Sequence, residues 1–276
     1  MSTSQILRIS LSTDEMALVY SLLNMPTSGK VLLYEAYGEI SAPKIEEKMV
    51  TASHSLMARD LVKISEKGTV VLHEGLESFF IPLIQFTNMV QIIVNIHEKE
   101  DIITATDYYL GKNGFFTSHE IDMGVVHRLF HGEVSALAEF ILGRMTFPED
   151  IAKDIRSALA KNKPVLKMSN YPQLEGMGVE KAAETLTSYG IDPVIAQTLS
   201  KDICNPVRRG SFVMADVSSE TLKKKDFSKT GAGFFWLIGE KSSWIMAFER
   251  GDENSTALIL PGTVTEAEKL IRSSLK

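Results

Sequence analysis

Asp107-Tyr108-Tyr109-Leu110-Gly111-Lys112-Asn113-Gly114-Phe115-Phe116 and Phe235-Trp236-Leu237-Ile238-Gly239-Glu240-Lys241-Ser242-Ser243-Trp244 are the two stretches that decide the fold. Each runs from an aromatic and aliphatic segment through a glycine-led polar quartet into a second strand-forming segment, the pattern of a hairpin. After each come another strand, a glycine (Gly132, Gly262) and an amphipathic helix. The hairpin glycines lie 128 positions apart and the later glycines 130 apart. A fixed order at a nearly constant offset points to an internal duplication. An α+β chain could also offer two hairpins followed by helices without duplication, since pairwise identity between the copies is low. The duplication predicts an α+β fold: a central antiparallel sheet built from two pseudo-symmetric halves, flanked by helical subdomains. The halves would be residues 1–145 and 146–276 of a single 1–276 domain.

Outward from the first hairpin, the pattern is strands over 90–96, 103–110, 115–121 and 124–130, a charged turn Glu98-Lys99-Glu100-Asp101, and a helix over 133–142. Upstream, Ser12-Thr13-Asp14-Glu15 opens a helix, with Ser12 or Thr13 as cap and acidic residues in the first turn. Pro26 and Gly29 end it; a second helix starts near Lys30, and a third near Pro43 that breaks around Ala52-Ser53. Glu66-Lys67-Gly68 then turns a short hairpin, so the N-terminal segment is winged-helix-like. A helix over 76–83 follows. In the second half, Phe147-Pro148-Glu149-Asp150 reads as a helix start. A connection runs from Lys161 to Gly178, and helices over 179–189 and from Asp192-Pro193 to about 203 follow. Strands are expected over 211–217, 234–238, 243–248 and 257–260, with a polar loop over 218–229. Val264, Ala267, Leu270, Ile271 and Leu275 give the last helix one apolar side.

Composition narrows the function classes. Apolar residues make up 44% of the 276 and charged residues 23%, ordinary for a globular protein, and the net charge of −6 argues against broad nucleic-acid binding. The single cysteine, Cys204, excludes an intrachain disulfide and fits a reducing compartment. The N-terminus lacks a secretory signal pattern. The longest charge-free run, 79–96, is interrupted by Pro82, Gln85, Thr87, Asn88, Gln91 and Asn95, so no membrane insertion is expected and the localisation read is cytoplasmic.

No catalytic signature stands out. His119, His127 and His131 are close in sequence, yet their spacing fits no zinc-enzyme pattern, and packed or exposed histidines are the simpler reading. There is no Gly-x-Ser-x-Gly elbow, and Cys204 sits at a helix end, where its thiol gains no activation. Gly239-Glu240-Lys241-Ser242 lacks the first glycine of a phosphate loop and has glutamate where its lysine should stand. The chain is therefore expected to be non-enzymatic, with no catalytic residue, cofactor or metal. The candidate protein-binding residues are aromatic and basic: Phe234, Phe235, Trp236, Trp244 and Met246 on adjoining strands, and Lys223, Lys224 and Lys225 in the polar loop. Helices covering both sheet faces would instead make the aromatic residues core, and the lysines would then be a solvated loop.

The order of elements resembles the EspG family, cytosolic chaperones of type VII secretion systems. The residues that carry the resemblance are Leu11-Ser12-Thr13-Asp14-Glu15-Met16, Arg59-Asp60-Leu61-Val62 with the Gly68 turn, Arg208-Arg209-Gly210-Ser211-Phe212, the strand over 233–238, Trp244-Ile245-Met246 and Leu260-Pro261-Gly262. The resemblance implies a pseudo-two-fold sheet with helical subdomains. It also implies a chaperone or adaptor that binds a secreted helical protein substrate and keeps it soluble for type VII (ESX-like) secretion. A homodimer stays open. The alternative is a winged-helix DNA-binding transcription regulator with a C-terminal sensor region. Against it, residues 43–50 set Glu46 and Glu47 beside Lys44 and Lys48, a poor recognition helix. An enzyme using the three histidines is a third reading.

Overall fold

Ser12 fixes where the first strand stops and the first helix starts. A computed structural model describes residues 6–96, 102–216, 232–248 and 255–276. Ser12 closes β1 (Leu7–Ser12) and caps α1 (Thr13–Leu22). Its Oγ accepts from the Glu15 backbone N–H at 3.2 Å, while Glu15 Oε2 accepts from the Ser12 N–H at 2.7 Å. Two of the otherwise orphaned first-turn donors are thus satisfied reciprocally.

The elements that follow are α2 (Pro26–Tyr37), α3 (Ala42–Ala58), β2 (Val62–Ile64), β3 (Val70–Leu72), α4 (Leu76–Ile84), β4 (Phe86–Ile96), β5 (Ile102–Gly111), β6 (Phe115–Asp122), β7 (Val126–Glu133) and α5 (Val134–Met145). The chain continues with α6 (Lys153–Asn162), β8 (Val165–Lys167), a single 3-10 turn, α7 (Tyr171–Glu175), α8 (Val179–Ser188), α9 (Pro193–Cys204), β9 (Arg208–Asp216), β10 (Gly233–Ile238), β11 (Ser243–Phe248), β12 (Thr256–Pro261) and α10 (Val264–Ser274). The fold is α+β, a large antiparallel sheet flanked by helices. The succession helix, four strands, helix occurs twice, as α4-β4-β5-β6-β7-α5 and as α9-β9-β10-β11-β12-α10. The equivalent strands β4 and β9 pair antiparallel, from Asn88 opposite Asp216 to Ile96 opposite Arg208.

Contacts divide the chain into two compact units, residues 1–86 with 108–133, and residues 87–107 with 134–276. The second unit takes β4, which is registered with β9, and α5, which packs on α10. In the first unit the strands run β1-β7-β6-β5, and β2 and β3 form a separate hairpin. Its core is Leu11, Met16, Leu56, Phe79, Phe80 and Leu129. In the second unit the order is β5-β4-β9-β10-β11-β12-β8. There Ile155, Leu159, Leu186, Ile195, Leu199 and Ile203 of the helices pack with Leu237, Trp244, Met246 and Phe248 of the strands.

Several expected boundaries move. Pro26 starts α2 at its first turn instead of ending α1, which suits a residue with no N–H to donate. Gly29 lies inside α2, where a Cβ would stand 2.5 Å from the Ala17 carbonyl oxygen, so it marks close helix packing and not a stop. α3 does not break at Ala52-Ser53. Ser53 Oγ donates back to the Val50 carbonyl oxygen, and buried Ala52 and Leu56 anchor one face. The helix expected at Phe147-Pro148 begins only at Lys153. The turn Glu98-Lys99-Glu100-Asp101 lies outside the described residues.

Glu15 does more than cap. Its carboxylate also accepts from Ser55 Oγ at 2.7 Å and from Arg59 Nη1 at 3.1 and 3.2 Å, and Arg59 Nη2 donates to the Ser10 carbonyl oxygen. Burial pushes the Glu15 carboxyl up, but the Ser12 N–H, the Ser55 hydroxyl and Arg59 together hold it below the ordinary value of 4.5. Because the folded value is depressed, the contribution is full above 4.5 and is lost as pH falls through the lowered value. Glu15→Ala is expected to cost about 3 kcal/mol, from the lost cap and charged hydrogen bonds together, as read by urea unfolding at pH 7.

Candidate functional site

β10 carries the aromatic run, and strand alternation splits it between two faces. Phe235 and Leu237 face the helical layer of α6 to α9. On the other face Phe212 stacks on Phe234 at 5.1 Å between ring centroids, and Trp236 meets Phe147 edge-on at 6.1 Å. Phe234, Trp236, Trp244 and Met246 are each at most 1% exposed. They therefore form no accessible strip, and the expectation of one is corrected: both sides of these strands are covered. Phe235 is half-buried and reaches a cavity. Lys223, Lys224 and Lys225 lie outside the described residues.

That cavity, of about 300 Å³, opens among Ile93, Asn95, Ile103, Tyr171, Arg209 and Phe235, all within the second unit. The residues converge because Asn95 is registered with Arg209, and Ser211 with both Ile93 and Phe235. Arg209 Nη1 donates to Glu175 Oε1 at 2.6 Å, so α7 is tied to β9 at the rim. Burial, then the Glu175 carboxylate, push the Tyr171 phenol well above its ordinary value, so it stays a neutral hydroxyl. Asn95 Oδ1 has no hydrogen-bond partner among the described residues. Ile103 is 64% exposed. The chemistry is that of binding: apolar walls, a neutral phenol, a spare amide acceptor and a charge pair at the edge. Nothing in the sequence pattern joins Tyr171, Glu175 and Arg209; only β8, the short α7 and the β4–β9 register bring them together.

The Gly239 hairpin is a structural joint. A Cβ at Gly239 would stand inside the Asp202 carboxylate. Asp202 Oδ2 accepts from Ser242 Oγ and, at 2.7 Å, from Trp244 Nε1. Burial nevertheless pushes the Asp202 carboxyl up. The glycine-led quartet is thus locked to α9. Cys204 ends α9, and its Sγ lies 3.1 Å from the Met177 carbonyl oxygen; burial raises the thiol, so it is poorly nucleophilic.

In the first unit the histidines pair off. His119 Nε2 and His127 Nδ1 are 2.7 Å apart, and His127 Nε2 lies 3.3 Å from Thr13 Oγ1. Burial pushes His119 down to about 4, and burial with the neighbouring His119 does the same for His127. His131 bonds elsewhere, 3.0 Å from Thr117 Oγ1. Among the described residues no group of three or more His, Cys, Asp or Glu could hold a metal ion.

No family model matches the chain, and neither does any curated protein. Among solved structures, that of the type VII secretion system chaperone EspG5 of Mycobacterium tuberculosis, in complex with the PE25-PPE41 dimer, is similar. The match has a TM-score of 0.61 and covers 98% of this chain and 96% of that one, at 11% sequence identity. The likeness is one of fold, and at that level it agrees with the resemblance drawn from the sequence. No helix among the described residues is long and apolar enough to cross a membrane.

Proposed function

We propose that this chain is a non-enzymatic chaperone or adaptor that holds a secreted helical protein in the cytosol for a type VII (ESX-like) secretion system. One observation carries the reading: the fold likeness to EspG5 spans nearly the full length of both chains. A shared module would cover a fraction of each. That neighbour is a chaperone in complex with the PE25-PPE41 dimer, and a comparable helical substrate is proposed here. The cavity beside Phe235 would take one apolar side chain from the tip of the substrate, with Ile103 at its mouth. The DNA-binding alternative gains nothing from α3, where Lys44 pairs with Glu47 and Lys48 with Asp14.

Deletion of the gene, followed by comparison of the secreted proteins, tests the reading. At least one small helical protein is expected to fall tenfold or more in the medium, and to co-purify with the tagged chain. Ile103→Asp should cut that recovery about tenfold without lowering the melting temperature, since the side chain is exposed. An unchanged secreted fraction would overturn the proposal, and salt-dependent retardation of DNA would favour the alternative.

A further inference from the structure

His131 of β7 is sandwiched between two phenylalanines. Its ring lies 5.0 Å from that of Phe79 and 5.2 Å from that of Phe115, at interplanar angles of 29° and 9°. It is 7% exposed. Its tautomer follows from the network below it. Thr117 Oγ1 has one proton and donates it to the Phe79 carbonyl oxygen at 2.6 Å. The hydroxyl can then only accept from His131 Nδ1, 3.0 Å away, so Nδ1 carries the proton. In a neutral ring protonated at Nδ1, Nε2 carries no proton and can only accept. Burial lowers the His131 pKa and outweighs a hydrogen bond to the Phe116 backbone that raises it, so the ring is neutral at pH 7.

His131 lines a cavity of about 390 Å³ with Leu7, Leu76, Phe79 and Phe115, entirely within the first unit. Ser78 and Glu133 stand at its edge. The volume falls within the range of small-molecule sites, about 300 to 1,000 Å³. Three chemistries fail there. An aliphatic chain would leave Nε2 unpaired, a loss of about tenfold or more in affinity. An anion would meet an acceptor nitrogen and the Glu133 carboxylate. A metal would find one imidazole and no second and third ligand in place.

We propose that this cavity binds a small aromatic ligand carrying one N–H or O–H donor, of the indole or phenol class. Phe79 and Phe115 already cover both faces of His131, so the ligand ring meets the open edge of that ring, in the edge-on geometry aromatic pairs favour. Its N–H or O–H donates to His131 Nε2. Apolar walls supply the affinity, and the single hydrogen bond supplies the choice among aromatic compounds.

Titration calorimetry of the full chain with indole and with 1-methylindole, which lacks the donor, tests this. Indole is expected to bind at least tenfold more tightly, and phenol to exceed anisole in the same way. His131→Phe keeps the stack and should bring indole down to the level of 1-methylindole. Ser78→Trp, at an exposed position on the rim, should abolish binding of both by filling the cavity. Equal affinities within each pair would overturn the proposal, as would no saturable binding below about 5 mM, weaker than even a millimolar site. Should His131→Phe fail to fold, the ligand pairs and Ser78→Trp decide. None of these results bears on the secretion reading, which rests on other residues.

Discussion

Gly210→Ala is expected to lower the stability of the second unit by about 3 kcal/mol or more, at or beyond the upper end of ordinary overpacking, and Gly210→Val to prevent its folding. Gly210 lies in β9 opposite both Val94 of β4 and Trp236 of β10. A Cβ there would stand inside the separation allowed from the Ile93 carbonyl oxygen and from the indole ring of Trp236. Neither can yield cheaply. The first is backbone held in the sheet, and the second is 1% exposed, hemmed in by Phe147 and Phe234. Both tryptophans of the chain belong to this unit, so urea unfolding followed by indole fluorescence reads it directly. Gly143, inside α5, is the control, because a Cβ there meets nothing within 4 Å. Gly143→Ala should stabilise by up to about 1 kcal/mol. If Gly210→Ala unfolds at the wild-type urea midpoint, the close packing of indole on glycine is wrong.

Acid is expected to loosen the first unit before it touches carboxylates. His119 and His127 titrate at about 4 in the folded chain against 6.5 ordinarily. The unfolded chain therefore takes up protons first as pH falls. Stability from the neutral pair is full above 6.5 and is lost progressively toward 4. A depression of that size is worth about 3 kcal/mol for one histidine. The second adds to it, since charging both rings of a stacked pair at 5.0 Å is unfavourable. Glu15 contributes to acid sensitivity only below 4.5, so the interval from 6.5 to 4.5 isolates the histidines. Amide exchange of β6 and β7 across that interval should show protection falling as pH drops. A His119→Gln, His127→Gln double variant should make the profile shallower, with buried His131 of β7 left to give the rest, and an unchanged slope in that variant would sink the assignment.

Much of the fold was legible because local chemistry agreed with it. The Ser12 to Glu15 capping box, the glycine hairpins at Gly111 and Gly239 and the apolar side of α10 are local signals, and each falls where it was read. What escaped depended on distant partners. β8 is three residues long, too short for periodicity, and exists because it pairs with β12 from Thr256 opposite Lys167. β1 precedes a strong helix start and is a strand because β7 holds it from Leu7 opposite His131 onward. Pro26 and Gly29 can each end a helix or sit within one; which role they take is decided by α1 packing alongside α2. The site was less legible still. In an all-apolar strand such as β10, alternation cannot reveal which face is covered, so buried Phe234 and Trp236 looked equivalent to Phe235, which reaches the cavity. The stack of Phe79, His131 and Phe115 joins α4, β7 and β6, and no spacing announces it.

The pairing of β4 with β9 also sets a timetable. β4 leaves the ribosome with Phe86, Met89, Val90, Ile92, Ile93, Val94 and Ile96 along one 11-residue strand. Its partner β9 ends at Asp216, so at about 5–20 residues per second the strand waits roughly 6 to 24 seconds for its neighbour. The first unit draws on residues up to 133 and none later, so it can condense during that wait. A nascent chain held in this state carries an unpaired, sticky strand edge. During its own synthesis the protein would need the kind of protection it is proposed to give others.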